Sequence, residues 1–242
     1  MNVELFKLWV FLAESPLLWL TVTIAAYLLA LWIYRRFGMN PLLNPVLVSV
    51  SILIVLLLAT RTPYPTYFEG AKFVHFLIGP ATVALAIPLY AQLGKLKTMW
   101  RSIGFALMVG SVTAIVSAIG LVWWAGGSKP MMIALAAKSA TLPIAMGVTE
   151  RVGGEPSLTA VAVALTGISG AIIARYLLNL FRFDNPAVRG FALGITAHAI
   201  GTARALQVNP TAGAFSALAM GLNGVATALL VPLVLKLLQL TP

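Results

Sequence analysis

Residues 138–148 read KSATLPIAMGV, and residues 79–89 read GPATVALAIPL. The two stretches align when Thr82 is placed on Thr141, and a weaker third copy, HAIGTARAL at 198–206, places Thr202 at the same point. Each copy is an apolar segment that glycine, proline or small polar residues interrupt. Such interruptions free backbone N–H and C=O groups, which are tolerated at membrane depth only where the backbone lines a cavity or is buried in protein. Recurrent interruptions of this kind predict the binding site of a membrane carrier.

The composition indicates an integral membrane protein. Of the 242 residues, 60% are hydrophobic and only 9% are charged, whereas a soluble domain has about 25% charged residues. The net charge of +10 comes mostly from short loops between apolar segments, where basic residues set orientation and meet anionic lipid. We therefore expect a lipid bilayer as the partner and no nucleic acid. The absence of cysteine excludes disulfides, thiol catalysis and thiolate metal sites.

The apolar pattern predicts an all-α fold: a polytopic transmembrane helical bundle with broken or re-entrant helices and internal repeats. Four segments are long enough to be convincing spans, and the segment at 43–59 is shorter. Three more segments are interrupted, and each either crosses the membrane as a broken helix or re-enters as a hairpin; the sequence leaves this open. We expect one membrane domain over residues 1–242, with related halves at 1–127 and 128–242 as a further option. The convincing spans are 17–34, 102–124, 157–180 and 213–238, and the interrupted segments are 73–91, 131–148 and 189–206.

The most basic loops predict the orientation. Placing residues 35–36 and 95–101 in the cytoplasm agrees with two intervening crossings. Arg175, Arg182 and Arg189 favour a cytoplasmic end for the helix at 157–180.

Lys138 is the leading candidate for substrate binding. It lies within an apolar stretch without a nearby acid, and a cation at the bilayer centre costs about 3 kcal/mol or more. One interpretation is a counter-charge for an anionic substrate. The alternative is a shallow hairpin from which Lys138 reaches water.

Two interrupted segments carry hydroxyl or helix-breaking residues at the break. Proline disturbs a helix in the preceding turn, and a half-helix that begins there directs free N–H groups and a positive dipole end toward an anion. Serine and threonine would add donors, although such hydroxyls usually bond back to their own backbone in a helix. The candidates are Gly79, Pro80, Thr82, Ser139, Thr141 and Pro143.

The third copy contributes His198, Thr202 and Arg204. His198 and Thr202 share a helix face, and His198 is either a proton carrier or a hydrogen-bonded core histidine. Arg204 either binds a carboxylate or marks the membrane edge. Asn223, which is polar among apolar residues, is a weaker candidate for helix bonding or substrate contact.

The acidic residues favour an anionic substrate by their positions. All six lie in tails or loops, so no intramembrane carboxylate is available to bind sodium or relay protons. The sequence has no Walker loop, HExxH or nucleophile-elbow motif. We therefore expect a protein that is not an enzyme and has no metal site or cofactor.

Several of these motifs also resemble a known family, the LrgB/CidB membrane proteins. The resemblance rests on IGPATVALAIPLY at 78–90, KSATLPIAMGVTERVGG at 138–154, GITAHAIGTARALQ at 194–207 and GAFSALAMGLNG at 213–224. It implies either an antiholin-like regulator of murein hydrolase export and autolysis with an LrgA/CidA-type partner, or a carboxylate carrier like the plastid glycolate/glycerate translocator. Bacterial relatives are also linked to pyruvate movement. By analogy, it implies an architecture like that of elevator-type carriers.

Residue pattern and resemblance together predict a transporter or exchanger of small 2-hydroxy or 2-oxo monocarboxylates such as glycolate, glycerate or pyruvate. We expect it to be a multi-pass protein of the bacterial cytoplasmic (inner) membrane, with an LrgA/CidA-type membrane protein as partner; a homo-oligomer stays open. The alternative is the antiholin-like regulator. Three departures from the family pattern, Ala140, Leu142 and Gly147, concern the choice of substrate rather than membership.

Overall fold

The computed structural model describes residues 15–240, apart from the side chains of Ile78 and Thr82. This part of the chain is helical and contains no strand, which confirms the all-α prediction. Proline occupies the first turn of most long helices, where its missing N–H costs nothing. The helices are α1 (Pro16–Arg36), a 3₁₀ turn (Pro41–Leu43), α2 (Pro45–Thr60), α3 (Tyr64–Phe76), α4 (Ile78–Ala84), α5 (Ala86–Ala91), α6 (Leu93–Trp124), α7 (Lys129–Ala136), α8 (Leu142–Arg151), α9 (Pro156–Leu180), α10 (Pro186–Val208) and α11 (Pro210–Leu237).

By length and composition, five helical stretches of the described residues can cross a membrane. Four of them are α1, α6, α9 and α11, which confirms the four convincing spans. The fifth is Tyr64–Ala91, which joins α3, α4 and α5. Leu77 and Leu85 separate these three helices, yet both keep right-handed helical backbone angles. The backbone therefore stays locally helical at both of these interruptions.

The residues form two compact units, one that ends at Ala84 and one that begins at Leu85. In the first unit, α1 packs against α2 and α3. The fully buried ring of Trp19 meets the ring of Tyr67 edge-on at 5.8 Å. Gly70 lies so close to α1 that a Cβ would stand 2.7 Å from the Trp19 Cβ. The prediction of related halves that meet near residue 128 stays a prediction.

In the second unit, the interrupted segment around residue 138 is a re-entrant hairpin, which we call hairpin 1 (residues 129–151). The Thr159 hydroxyl on α9 lies 3.0 Å from the Ala134 carbonyl oxygen and 3.0 Å from the Thr149 hydroxyl. In an uninterrupted helix these two partners would be about 22 Å apart. The chain therefore turns back between α7 and α8, and the non-helical residues 137–141 form the tip.

The segment around His198 is a second hairpin, which we call hairpin 2 (residues 186–208). His198 has φ of 40° and ψ of −128° within α10. A Cβ on Gly201 would stand 2.9 Å from the Leu193 carbonyl oxygen, although residues eight apart in a straight helix are separated by about 12 Å. The chain therefore reverses at His198, which is the tip of this hairpin.

Hairpin 2 is held closely against α11. A Cβ on Gly190 would overlap the Ala212 carbonyl, and one on Gly194 would overlap the Ser216 carbonyl. Small residues allow helix backbones to approach closely in a membrane. These two glycines are therefore required by packing.

The two hairpins begin at opposite ends of α9. This helix starts just after hairpin 1 and ends just before hairpin 2, and its 25 residues span about 37 Å, enough to cross a hydrocarbon core of about 30 Å. The packing of α6 agrees with this: Ile103 in its first half packs against the cluster that contains Phe191 of hairpin 2, and Ile119 in its second half belongs to the cluster that contains Ile133 of hairpin 1. The tips therefore meet between the two faces of this unit.

Candidate functional site

Asn223 joins the tips of the two hairpins. Its side chain is 1% exposed, and its Nδ2 donates to the Ser139 carbonyl at 3.0 Å and to the Ile195 carbonyl at 3.2 Å. Its Oδ1 accepts a hydrogen bond of 2.7 Å from the Ser111 hydroxyl on α6. One amide thus connects α6, α11 and both hairpins. Its hydrogen-bonding groups are engaged within the protein, so the structure places Asn223 behind the tips as a positioning residue.

His198 fixes the tip of hairpin 2 on α9. Its Nε2 lies 3.0 Å from the Val163 carbonyl oxygen, and the ring is buried. The ring occupies the space that a side chain at position 167 would need, since a Cβ on Gly167 would stand 2.5 Å from its Cε1. The positive φ of His198 is uncommon for a residue with a side chain and costs about 1–3 kcal/mol. Strain of this kind persists where the surrounding contacts hold it, as the Val163 bond and Gly167 do here.

Lys138 lies at the tip of hairpin 1 and lines a cavity of about 730 Å³. The side chain is half-buried, and its Nζ lies 3.5 Å from the Ser139 hydroxyl. Within residues 15–240 the structure gives Lys138 no acidic partner. A cation in this position favours an anion at the tips.

The cavity runs from the tips toward the base of hairpin 2, between α6 and α9. Among the described residues that line it, Lys138 is the only charged one, and Ser139 is the only other predicted site residue. Ser169 and Thr196 donate to carbonyls of their own helices, whereas Thr113 and Thr166 have no such partner in the described part of the chain. The lining also contains hydroxyl residues that the sequence pattern did not predict, namely Ser102, Thr113, Ser117, Thr166, Ser169 and Thr196.

The remaining candidates of the two hairpins lie outside the cavity lining. Thr141 is the N-cap residue of α8 without a side-chain cap bond, and Pro143 is exposed in the first turn. Thr202 is buried, donates to the His198 carbonyl at 2.8 Å and lies 2.9 Å from the Ser216 hydroxyl. Arg204 is buried on the second arm of hairpin 2. Thr202 therefore supports the tip rather than reaching the cavity.

The candidates from the first copy belong to the other compact unit. Gly79 and Pro80 are exposed in α4, and the side chain of Thr82 lies outside the described residues. In the part of the chain that the structure describes, no group of three or more His, Cys, Asp or Glu residues is arranged to hold a metal ion.

Several known bacterial proteins are similar to this chain over most of its length. The chain is 36% identical to the uncharacterized protein YwbG of Bacillus subtilis (90% of this chain, 96% of that protein) and 35% identical to an uncharacterized protein of Haemophilus influenzae (90% and 94%). It is 30% identical to the antiholin-like protein LrgB of Bacillus mycoides (90% and 95%). No solved structure matches the chain.

The motifs that suggested a family lie within one continuous match. The model of the LrgB-like family matches residues 23–237, a range that contains both hairpins, Lys138 and Asn223. The relatives match over nearly their whole length. This multi-pass membrane protein therefore belongs to the LrgB-like family.

Proposed function

We propose that this protein carries small organic monocarboxylates across the membrane through its second compact unit. The observation that carries the proposal is the position of Lys138, a cation without an acidic partner in the described residues, at the tip end of the cavity. An isolated cation at this depth costs about 3 kcal/mol, and a bound carboxylate would offset that cost. Because the cavity lining offers one charge, the site suits a monocarboxylate better than a dicarboxylate.

The hydroxyl groups around Lys138 support the same choice. Ser139 is adjacent, and Thr113 and Thr166 line the cavity without an internal acceptor among the described residues. They are suited to donate to a carboxylate oxygen or to a 2-hydroxy or 2-oxo group beside it. We propose glycolate, glycerate and pyruvate as the first compounds to test.

The hairpins suggest how passage would be gated. The cavity runs to the base of hairpin 2, and the residues of hairpin 1 that pack into the core lie outside its lining. Transport would need one group of helices to move against another, so that Lys138 is exposed alternately to the two sides. The two Asn223 bonds between the tips would then form in one state and break in the other.

A second candidate is an antiholin-like regulator that acts with an LrgA/CidA-type membrane protein on murein hydrolase export and autolysis. The names of relatives such as the Bacillus mycoides protein favour this function more directly than they favour transport. The two functions are compatible if carboxylate flux is what changes lysis.

The test is uptake of labelled glycolate, glycerate and pyruvate into proteoliposomes, with and without the LrgA-type partner. Lys138→Ala is compared with Lys129→Ala, because Lys129 is an exposed lysine at the base of the same hairpin. We expect saturable uptake that Lys138→Ala abolishes and Lys129→Ala preserves. Absence of uptake by correctly inserted protein with its partner would overturn transport. Lysis control that survives Lys138→Ala would favour the regulator.

A further inference from the structure

The cavity is larger than a two- or three-carbon acid requires. Its volume of about 730 Å³ lies in the range of pockets that enclose drug-sized ligands. A small acid held at Lys138 would leave most of this space unfilled. The chemistry of the unfilled part therefore bears on which monocarboxylates fit best.

Polar and apolar groups are separated along the cavity. Thr166 lies at the level of the tips, because its neighbours Val163 and Gly167 contact His198, and Thr113 lies close to Ser111, which bonds Asn223. Lys138 and these hydroxyls thus share one end. Toward the base of hairpin 2 the wall is mainly apolar, with Ser102 as its polar exception, and includes Met99, Ile103, Leu177, Leu178, Val188 and Phe191.

We propose that the preferred substrates are monocarboxylates with an unbranched apolar tail of about four to eight carbons. The carboxylate lies at Lys138 and the tail extends along the first arm of hairpin 2 toward Phe191. Burying a methylene is worth about 0.8 kcal/mol, which corresponds to roughly a two- to fourfold gain in affinity per methylene in a partly open cavity. This inference rests on the proposed function, since it requires that Lys138 bind a carboxylate.

The experiment measures Kd for acetate, butyrate, hexanoate and octanoate, with pyruvate as reference, on the full chain in lipid nanodiscs. We expect affinity to rise by at least tenfold from acetate to hexanoate. Ala106→Phe is the matched variant, because Ala106 is an exposed residue that lines the cavity between Ile103 and Gly110. It should remove the gain with chain length and leave acetate and pyruvate binding unchanged. Lys138→Met should weaken the whole series, and 1-octanol should not compete with hexanoate.

The outcomes separate the two proposals. Binding of acetate and pyruvate that depends on Lys138, with an affinity that is flat or falls with chain length, would overturn the tail preference and leave the carrier intact. No binding of any acid that depends on Lys138 would overturn the carboxylate site itself. A gain with chain length that persists in both Ala106→Phe and Lys138→Met would mean partition into lipid and would also overturn the tail preference.

Discussion

Replacing Asn223 by alanine should loosen the two hairpin tips. The substitution removes three buried hydrogen bonds, of 2.7, 3.0 and 3.2 Å, to Ser111, Ser139 and Ile195. Each such bond contributes about 0.6–1 kcal/mol in a membrane protein or a protein core. We therefore expect a loss of about 2–3 kcal/mol in the free energy that holds the tips together. At about 1.4 kcal/mol per factor of ten, a loss of 2 kcal/mol opens the tips roughly thirtyfold more often.

The assay uses the cysteine-free background of this chain. A single Ala140→Cys reports on the tip, because Ala140 is only 1% exposed and lies outside the cavity lining, so that it reacts with a maleimide only when the tip opens. Adding Asn223→Ala should raise the labelling rate roughly thirtyfold and lower the free energy of unfolding. The control is Asn179→Ala, whose amide makes an exposed bond to Arg189 and should change neither quantity.

Asn223→Asp makes the test sharper. The aspartate keeps an acceptor for the Ser111 hydroxyl but turns an oxygen toward the two carbonyls that Nδ2 now serves. Its effect should equal or exceed that of alanine, since two bonds are lost and a carboxylate oxygen faces two carbonyl oxygens. Unchanged labelling and unfolding in both variants would refute the role of Asn223 as the link between the tips.

Two further predictions concern the supports of the hairpins. Gly167→Ala should displace the His198 ring, because the new Cβ would stand 2.5 Å from its Cε1. Carboxylate uptake should then fall about tenfold, since the hydrogen bond between His198 and Val163 is lost. The control is Gly147→Ala, which should transport normally because the space around Gly147 is open. Thr159→Val keeps the shape but removes the hydroxyl that contacts both arms of hairpin 1, which should cost about 1–2 kcal/mol of unfolding free energy. The control is Thr21→Val at an exposed position, where the hydroxyl bonds to the Leu17 carbonyl of its own helix, and it should cost less than about 0.5 kcal/mol. Equal costs for the two threonines would contradict the role of Thr159.

The sequence predicted where the helices are interrupted, but not whether the chain turns back at each interruption. Glycine, proline and small polar residues interrupt all three copies, yet the backbone stays locally helical at Leu77 and Leu85, whereas the chain reverses at 137–141 and at His198. The difference lies in partners far along the chain. Thr159 holds the arms of hairpin 1 together, and Gly167 leaves room for the tip of hairpin 2. Neither contact can be predicted from the residues near the break, and nothing in the sequence indicates that His198 has a positive φ.

Some residues of the candidate site were predictable from the sequence and others were not. Lys138 and Ser139 were predictable because a cation and a hydroxyl at a break in an apolar segment stand out from their neighbours. Thr113 and Thr166 were not, because isolated hydroxyls on small-residue helices look the same whether they pack or line a cavity. The position of Thr113 and Thr166 beside the hairpin tips follows from their neighbours Ser111 and Gly167, which contact Asn223 and His198. Asn223 is conspicuous in the sequence as a polar residue, but its role depends on both tips reaching it.

The charge distribution of the second unit supports one direction for the cavity. Leu96 and Met99 pack against the cluster that contains Ala187 and Phe191, which places the basic residues of 95–101 and 182–189 at the same end, next to the base of hairpin 2. Charge alone predicts a cytoplasmic position for each of these loops, and the fold brings them together there. The base of hairpin 1 has a more balanced set, in which Glu150 and Glu155 accompany Lys129 and Arg151. The cavity therefore extends toward the end that charge assigns to the cytoplasm, with Lys138 at its far end. A regulator that acts only through its outer surface has no need of a cation at that depth, whereas a carrier that collects anions from the cytoplasm does.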